Sequence, residues 1–244
     1  MSHISIIHYI KLIFRSCLFV VATALYVASR VGEPNGLIIN SEHRPFILVF
    51  IWFVFIIEMF FRFFPSRVES MGCQKQFKRS FRPTKIKAEK TEQNKQNKSA
   101  LIVAVLWLML NGIIGVLHHF KLIDDGILVL ICLAFSVCDM ICILFFCPFQ
   151  SLIMKNKCCT SCRIYNWDYA MMFTPLIFTK DIFAISILFF AIILLVRWEI
   201  TAYMHPERFS EKTNACLLCS NCKEKLCSHK KQLRRFLAAN KNNY

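Results

Sequence analysis

Cysteines with the spacing of metal ligands are the residues of this chain best suited to chemistry. Cys159 and Cys162 form a Cys-x-x-Cys pair with Cys158 adjacent, and Cys147 precedes them in the same polar stretch. This spacing lets two sulfurs reach one metal ion or close one disulfide. Neighbouring lysines and arginines favour the thiolate form, which metal binding and redox chemistry both need. With Cys73 from another polar loop, any four of these thiols can supply a zinc or iron–sulfur site.

A second group of cysteines lies near the carboxyl terminus. It comprises Cys216, Cys219, Cys222 and Cys227, spaced Cys-x2-Cys-x2-Cys-x4-Cys. The run resembles the cysteine run of bacterial ferredoxins, with a last gap one residue longer and no proline after it. That resemblance implies an iron–sulfur cluster, and the spacing also suits zinc. If this part of the chain lies outside the cytoplasm, two disulfides are expected instead.

Three polar residues interrupt apolar runs and are candidate functional residues for that reason: Glu58, Asn111 and Asp139. An ionisable side chain within a membrane is costly and points to function by default. Arg62 lies four residues after Glu58, so a structural ion pair on one helix face competes with a proton or ion site. We expect Asn111 to bond to a neighbouring helix, and Asp139 either to bond to Asn111 or to act in a proton relay.

The elements that must position these residues are apolar runs long enough to cross a membrane. The 244 residues are 56% hydrophobic, with a mean hydropathy of +0.48, whereas soluble domains are about 45–50% apolar. A spanning helix needs about 20 apolar residues. We predict an all-α membrane protein whose polytopic bundle fills residues 1–203 with five transmembrane helices, at about 8–29, 46–64, 100–117, 126–149 and 181–203.

Basic charge predicts the side of the membrane that each loop faces. Lys and Arg outnumber Glu by 11 to 3 between residues 62 and 98, which predicts a cytoplasmic location for the loop 65–99. The cysteine loop 147–168 then shares that side. Five passes put the tail 204–244 on the opposite side, although its own 9 Lys and Arg against 3 Glu favour the cytoplasm.

Three segments carry weaker predictions. Lys11 and Arg15, near the start of the first helix, are expected to snorkel to the cytoplasmic interface. The apolar segment Tyr169–Phe178 is too short for a spanning helix and contains Pro175, so we expect it at the interface or dipping into it. The stretch KAEKTEQNKQNKSA at 87–100 lacks aromatic residues, so it is expected to be solvated and partly disordered.

Together these patterns predict an integral membrane protein with a cytoplasmic cysteine site that binds zinc or an iron–sulfur cluster, as in an electron-transfer subunit. One alternative is an accessory or scaffold subunit whose cysteines only brace the loop. Another is a membrane thiol oxidoreductase that uses Cys159 and Cys162. The sequence leaves open whether the protein is an enzyme, and it leaves open transport along a path lined by Glu58, Asn111 and Asp139.

The predicted partners follow from the same charge pattern. The net charge of +15 lies in blocks between apolar runs, so we expect contact with the bilayer and with anionic lipid rather than with nucleic acid. A redox partner or membrane complex is also expected. No GxGxxG or GxxxxGK loop is present to hold a nucleotide phosphate. The expected location is the cytoplasmic membrane of a prokaryote.

Overall fold

The computed structural model describes residues 3–31, 44–65, 71–85, 90–155 and 162–221. Within these ranges the regular structure is helical, and a single isolated bridge pairs Pro83 with Asn214. The α-helices in chain order are α1 His3–Val31, α2 Arg44–Phe63, α3 Met71–Gln76, α4 Lys90–His119, α5 Asp125–Leu144, α6 Asp168–Phe173 and α7 Ile182–Met204.

Four of the helices contain segments that are long and apolar enough to cross a membrane, counted over the described ranges. These segments are Ile6–Ala28, Gln93–His119, Asp125–Leu144 and Ile182–Met204. Large apolar side chains such as Leu108 and Phe189 point outwards and are exposed. An apolar exterior of this extent fits a lipid environment. The described chain is therefore all-helical, with four candidate membrane-spanning helices.

Two helix boundaries differ from the predictions. α4 begins at Lys90, so residues 90–100 of the stretch predicted to be partly disordered form its first turns instead, while residues 87–89 lie outside the described ranges. Lysine, glutamine and glutamate are good helix formers, and the apolar run that follows extends the same helix. α5 ends at Leu144 rather than at residue 149. A short π-helical turn, Phe149–Ile153, follows Pro148.

An interior segment, residues 165–178, runs along the inside of the bundle. It consists of a 3₁₀ turn at Tyr165–Trp167, α6, and a second 3₁₀ turn at Thr174–Phe178. At its start, the Trp167 Nε1–H donates to Glu199 near the end of α7, at 2.6 Å. Shortly after its end, the Asp181 carboxylate accepts the N–H of Ala184 and caps the start of α7. The segment therefore travels nearly the whole length of α7, antiparallel to it.

The segment Tyr169–Phe178, expected at the interface or dipping into it, extends along more of α7 than a single α-helix of its length could. From Asp181 to Glu199, α7 rises about 27 Å at 1.5 Å per residue. The chain covers this distance between Trp167 and Asp181 at about 1.9 Å per residue. The 3₁₀ turns rise about 2 Å per residue, and extended residues about 3.3 Å. The irregular backbone is tolerated because protein surrounds it.

Two helix pairs enclose the interior segment. α1 packs on α5 and α2 packs on α7, while α4 contacts the second 3₁₀ turn from the side. Large side chains of the enclosing helices and of the interior segment are fully buried, including Phe55 of α2, Leu133 of α5 and Tyr169 of α6. The Phe55 and Phe173 rings meet edge to face with centroids 4.9 Å apart. Aromatic packing of this kind adds about 0.5–1.5 kcal/mol to area burial.

The tail packs against the basic loop. The contact lies at the end of the bundle where α7 finishes, which we call the Glu199 end. The N–H of Ala215 donates to the carbonyl of Arg82 at 2.8 Å, and the N–H of Thr84 donates to the carbonyl of Thr213 at 3.0 Å. Asn214, fully buried, donates to the carbonyl of Lys75 at 3.1 Å. The sequence left the side of the tail open, and these contacts place residues 213–215 against the basic loop.

Two glycines of α4 differ in what a methyl group would meet. A Cβ on Gly115 would overlap the Phe178 ring, whereas a Cβ on Gly112 meets nothing within 4 Å. We expect Gly115→Ala to destabilise the protein by about 1 kcal/mol or more through overpacking. Gly112→Ala is the matched control and should stabilise it by about 0.5–1 kcal/mol through helix propensity. Thermal unfolding in detergent measures both changes, and equal shifts would contradict this packing.

Candidate functional site

Arg15 of α1 lies at the centre of a group of charged side chains inside the bundle. Its side chain is only 2% exposed. One terminal nitrogen, Nη2, lies 2.5 Å from Glu58 Oε2 on α2. The other, Nη1, lies 3.3 Å from Asp139 Oδ2 on α5 and donates to the carbonyl of Ser136 at 3.1 Å. Arg15 therefore ties three helices together with charge-assisted hydrogen bonds.

Glu58 has two further partners. The Tyr169 hydroxyl of the interior segment donates to its Oε2 at 3.1 Å. The ammonium of Lys11, one turn before Arg15, lies 3.5 Å from its Oε1. The Arg15 guanidinium also lies 5.5 Å from the centre of the Phe55 ring. Glu58 is thus held by groups from α1 and from the interior segment together.

A second ion pair anchors the interior segment to α2. Arg62 Nη1 donates to Asp168 Oδ1 at 2.8 Å, and its Nη2 pairs with the other carboxylate oxygen. The two side chains are 3% and 7% exposed. The guanidinium also stacks on Tyr169, 4.8 Å from the ring centre. Bidentate geometry of this kind makes a strong and orientation-specific pair.

Together these groups form one charge-balanced unit. We call it the charge cluster, and it consists of Lys11, Arg15, Glu58, Arg62, Asp139 and Asp168. Asp139 interacts electrostatically with both Arg62 and Asp168, which connects the two ion pairs. Asp139 lies roughly 8 Å before the end of α5 at a rise of 1.5 Å per residue. The cluster therefore lies within the bundle, toward the Glu199 end.

No family model, curated protein or solved structure matches the chain.

The predictions for the charged residues need correction. Arg15 does not snorkel to an interface, because two carboxylates of neighbouring helices hold it inside the bundle. Glu58, predicted to pair with Arg62 on the same helix, pairs with Arg15 and Lys11 of α1. Arg62 forms its bidentate ion pair with Asp168. Two charges on one helix face satisfy each other only when no better partner lies across the interface.

Asn111 also differs from its prediction. Its amide nitrogen donates to the carbonyl of Trp107 on the same helix, at 2.9 Å. Its Oδ1 is buried and finds no hydrogen-bond partner among the described residues. Asp139 pairs with Arg15 rather than with Asn111. Glu58 and Asp139 therefore belong to one site, and the Asn111 amide nitrogen bonds within its own helix instead.

A cavity lies at the other end of the bundle, which we call the Asp124 end. Its volume is about 670 Å³. The walls are apolar side chains of α1, α2, α5, α7 and the interior segment. The polar lining residues belong to the helix ends and connections on this side, which we call the mouth of the cavity: Tyr26, Arg30, Asp124, Asp125, Thr179 and Asp181. A concave, mostly apolar cavity with a few polar groups is the usual form of a small-molecule site.

Asp124 organises the mouth of this cavity. It caps α5 by accepting the N–H of Ile127 at 2.9 Å, and the Tyr26 hydroxyl lies 3.1 Å from its Oδ2. Arg30 pairs with the same carboxylate. Burial would raise the pKa of Asp124, but the hydrogen bonds from Ile127, Tyr26 and Arg30 outweigh it and hold this pKa below its ordinary value. Asp124 is therefore ionised at neutral pH.

An apolar layer separates the cavity from the charge cluster. Leu133 and Phe173 line the cavity, and both are 2% exposed or less. Phe173 packs on Phe55, whose ring in turn faces the Arg15 guanidinium. The described bundle thus has a cavity at the Asp124 end, and packed apolar side chains lie between this cavity and the charge cluster.

The first group of cysteines is described only in part. Cys162 is buried in an apolar cluster with Ala100, Val103 and Met154. Cys147 is half-buried and its thiol hydrogen-bonds to Cys142 of α5. Cys158 and Cys159 lie outside the described residues. The backbone of Cys73 belongs to α3, and its side chain lies outside the described set. Within the described ranges no three His, Cys, Asp or Glu side chains are arranged to hold a metal ion.

Of the tail cysteines, Cys216 lies against the basic loop. The Cys216 thiol donates to the carbonyl of Ser80 at 2.8 Å. Cys219 belongs to a short 3₁₀ turn, with its side chain outside the described set. Cys222 and Cys227 lie outside the described residues. α3, which carries Cys73, contacts the 3₁₀ turn that begins three residues after Cys162. Cys162 and Cys216, one from each group, therefore both lie near α3.

Sequence reasoning missed Arg15, Arg62 and Asp168 as members of one site. A signal for Arg15 was present, because His8, Lys11 and Arg15 repeat at three to four residues and share one face of α1. His8 and Arg15 are buried, whereas Ile10 and Ile13 are exposed. A polar stripe on an otherwise apolar helix indicates the interior of a membrane bundle. Asp168 gave no comparable signal in the sequence.

Proposed function

We propose that the chain crosses the membrane six times, with α1, α2, α4, α5, the interior segment and α7. α2 is apolar and has 20 residues, which gives about 30 Å, the thickness of a bilayer core. Six crossings return the tail to the side of the basic loop. Both are rich in Lys and Arg, so the Glu199 end faces the cytoplasm. This arrangement removes the conflict between the number of passes and the charge of the tail.

Within that arrangement the protein acts as a membrane transport protein with a gate. The observation that supports this function is the discontinuous interior segment, which runs between a cavity at the Asp124 end and a buried charge cluster toward the Glu199 end. Broken helices at membrane depth are typical of transporters, where they line substrate paths. The charge cluster acts as the cytoplasmic gate, because Arg15 joins α1 to α2 and α5, and Arg62 joins α2 to the interior segment.

Accessibility of a buried position beside Arg15 tests the gate. Ser136 is fully buried, and its carbonyl accepts from Arg15. In a background without the other cysteines, Ser136→Cys should resist a charged thiol reagent added from either side of oriented vesicles. Glu58→Gln weakens the gate and should raise labelling from the cytoplasmic side about tenfold. Glu207→Gln, which alters an exposed pair with His205 at the same end, is the control.

Three outcomes would count against the gate. The first is unchanged labelling of folded Glu58→Gln, with folding verified by size-exclusion chromatography. The second is rapid labelling of Ser136→Cys while Glu58 is intact, which would mean that the site is already open. The third is a rise in the Glu207→Gln control, since that change leaves the cluster intact.

We also propose a metal site on the cytoplasmic face, with zinc or an iron–sulfur cluster bound by cysteines of the loop and the tail. The contact of Cys216 with Ser80 supports it, since it brings tail cysteines to the loop that carries Cys73. A reducing cytoplasm disfavours disulfides there. An iron–sulfur cluster would make the protein an electron-transfer subunit, while zinc alone would make the site structural.

Anaerobic purification with metal analysis tests this site. We expect stoichiometric zinc, or iron with a visible spectrum, and its loss in the double variant Cys159→Ser/Cys162→Ser. Cys17→Ser/Cys138→Ser is the control, because both of these thiols are exposed on membrane-spanning helices. Absence of both metals would contradict the metal site and favour the interpretation that the protein is an accessory subunit. A mixed disulfide trapped at Cys159 in metal-free protein would instead favour the thiol oxidoreductase.

A further inference from the structure

The cavity at the Asp124 end has the volume and walls of a ligand site. About 670 Å³ lies within the range of about 300–1,000 Å³ that is common for small-molecule sites. Its deep part is lined only by apolar side chains, among them Ala22, Leu130, Leu133 and Phe173. Such walls offer favourable burial to an apolar group and no partner for a buried polar one.

The mouth of the cavity is negatively charged. Asp124, Asp125 and Asp181 line it together with one cation, Arg30. Arg30 is already paired with Asp124, and Asp125 lies 2.9 Å from His118. Asp181 accepts the N–H of Ala184, and within the described part of the chain no cation pairs with it. This distribution attracts a positive group at the mouth and repels a negative one.

We infer that the cavity binds an organic cation with an apolar tail, the tail in the apolar part and the cationic group at the Asp124 end near Asp181. An amphiphilic anion would place its charge against three carboxylates, and an uncharged chain would leave the mouth unused. The inference deepens the proposed transport function, because it names the class of solute that the cavity holds while the gate is closed.

Binding to the full-length protein in nanodiscs of uncharged lipid tests the inference. The probe is decyltrimethylammonium, measured by equilibrium dialysis, with empty nanodiscs subtracted. We expect one saturable site per protein, and about tenfold weaker binding for Asp181→Asn. Asparagine is also a good helix cap, so this variant keeps the start of α7. Glu207→Gln, at the opposite end of the bundle, is the charge control and should bind like the wild type.

A second pair of variants separates cavity occupancy from surface attraction. Ala22→Phe fills the cavity and should abolish saturable binding, while Ala24→Phe, on an exposed position of the same helix, should leave it unchanged. Decyl sulfate has the same tail and the opposite charge, and it should show no saturable site. Equal binding of decyl sulfate, or unchanged affinity in both Asp181→Asn and Ala22→Phe, would overturn the inference.

The results also separate this inference from the proposed function. Loss of decyltrimethylammonium binding while Ser136→Cys remains gated by Glu58 would reject the ligand class and keep the gate. Saturable binding without any change in Ser136→Cys labelling would keep the ligand site and reject the gate.

Discussion

Replacing Arg15 by methionine is expected to lower the free energy of unfolding by about 3–5 kcal/mol, because it leaves the carboxylates of Glu58 and Asp139 buried without their shared cation. Methionine keeps much of the side-chain volume, so the loss reports charge rather than packing. Unfolding of the purified protein in detergent, followed by tryptophan fluorescence, measures the change. Arg15→Lys should cost less, since an ammonium keeps the charge but cannot reach both carboxylates.

Arg30→Met is the matched control for this prediction. Arg30 lies on the same helix and is also ion-paired, but its side chain is 61% exposed. Exposed pairs contribute about 0–1 kcal/mol. Similar destabilisation by the two substitutions would contradict the buried cluster, as would a fully stable Arg15→Met protein. Adding Glu58→Gln to Arg15→Met should restore part of the loss, because one stranded charge is removed.

Replacing Arg62 by methionine is expected to destabilise the protein by a similar amount, about 3–5 kcal/mol, and to release the start of the interior segment. Asp168 would be left 7% exposed without its bidentate partner. Hydrogen exchange should therefore rise over residues 168–178 more than over α5. A uniform rise across all helices would show that the pair does not act on the interior segment in particular.

A double variant provides the internal control for this pair. Arg62→Met/Asp168→Leu replaces both charges by apolar side chains, and such replacements of buried ion pairs are often neutral or stabilising. We expect it to recover most of the stability that Arg62→Met loses. Failure to recover would mean that stacking of Arg62 on Tyr169, rather than the ion pair, holds the segment.

The apolar runs were sufficient to predict most of the architecture. Runs of about 20 apolar residues identified α1, α2, α4, α5 and α7, because the bilayer sets the length of a spanning helix. The interior segment was missed for the same reason. Its length in residues is short, and only its 3₁₀ and extended backbone makes it long enough. Once that segment is counted, the basic charge of the tail agrees with the contacts of Asn214 and Ala215.

The sequence indicated individual acids of the candidate site, but it did not indicate which basic residues pair with them. Glu58 and Asp139 stood out because an acid in an apolar run is costly. Their partner could not be deduced from neighbours on one helix, since Arg15 lies on α1 and Asp168 on α6. The cavity had no sequence signal, because its walls are ordinary apolar side chains. Partners across an interface depend on the packing of helices, which the spacing along one helix does not reveal.

The broken interior segment constrains how the protein is made. A translocon releases segments that are apolar and long enough to span alone, and residues 165–178 carry Asp168 and contain only short helical pieces. In the proposed six-pass arrangement, the segment therefore enters the membrane together with α7, as a hairpin that docks between helices already inserted. Ribosomes stalled before α7 should leave residues 165–178 on the cytoplasmic side. Biogenesis of this bundle is completed by its last helix.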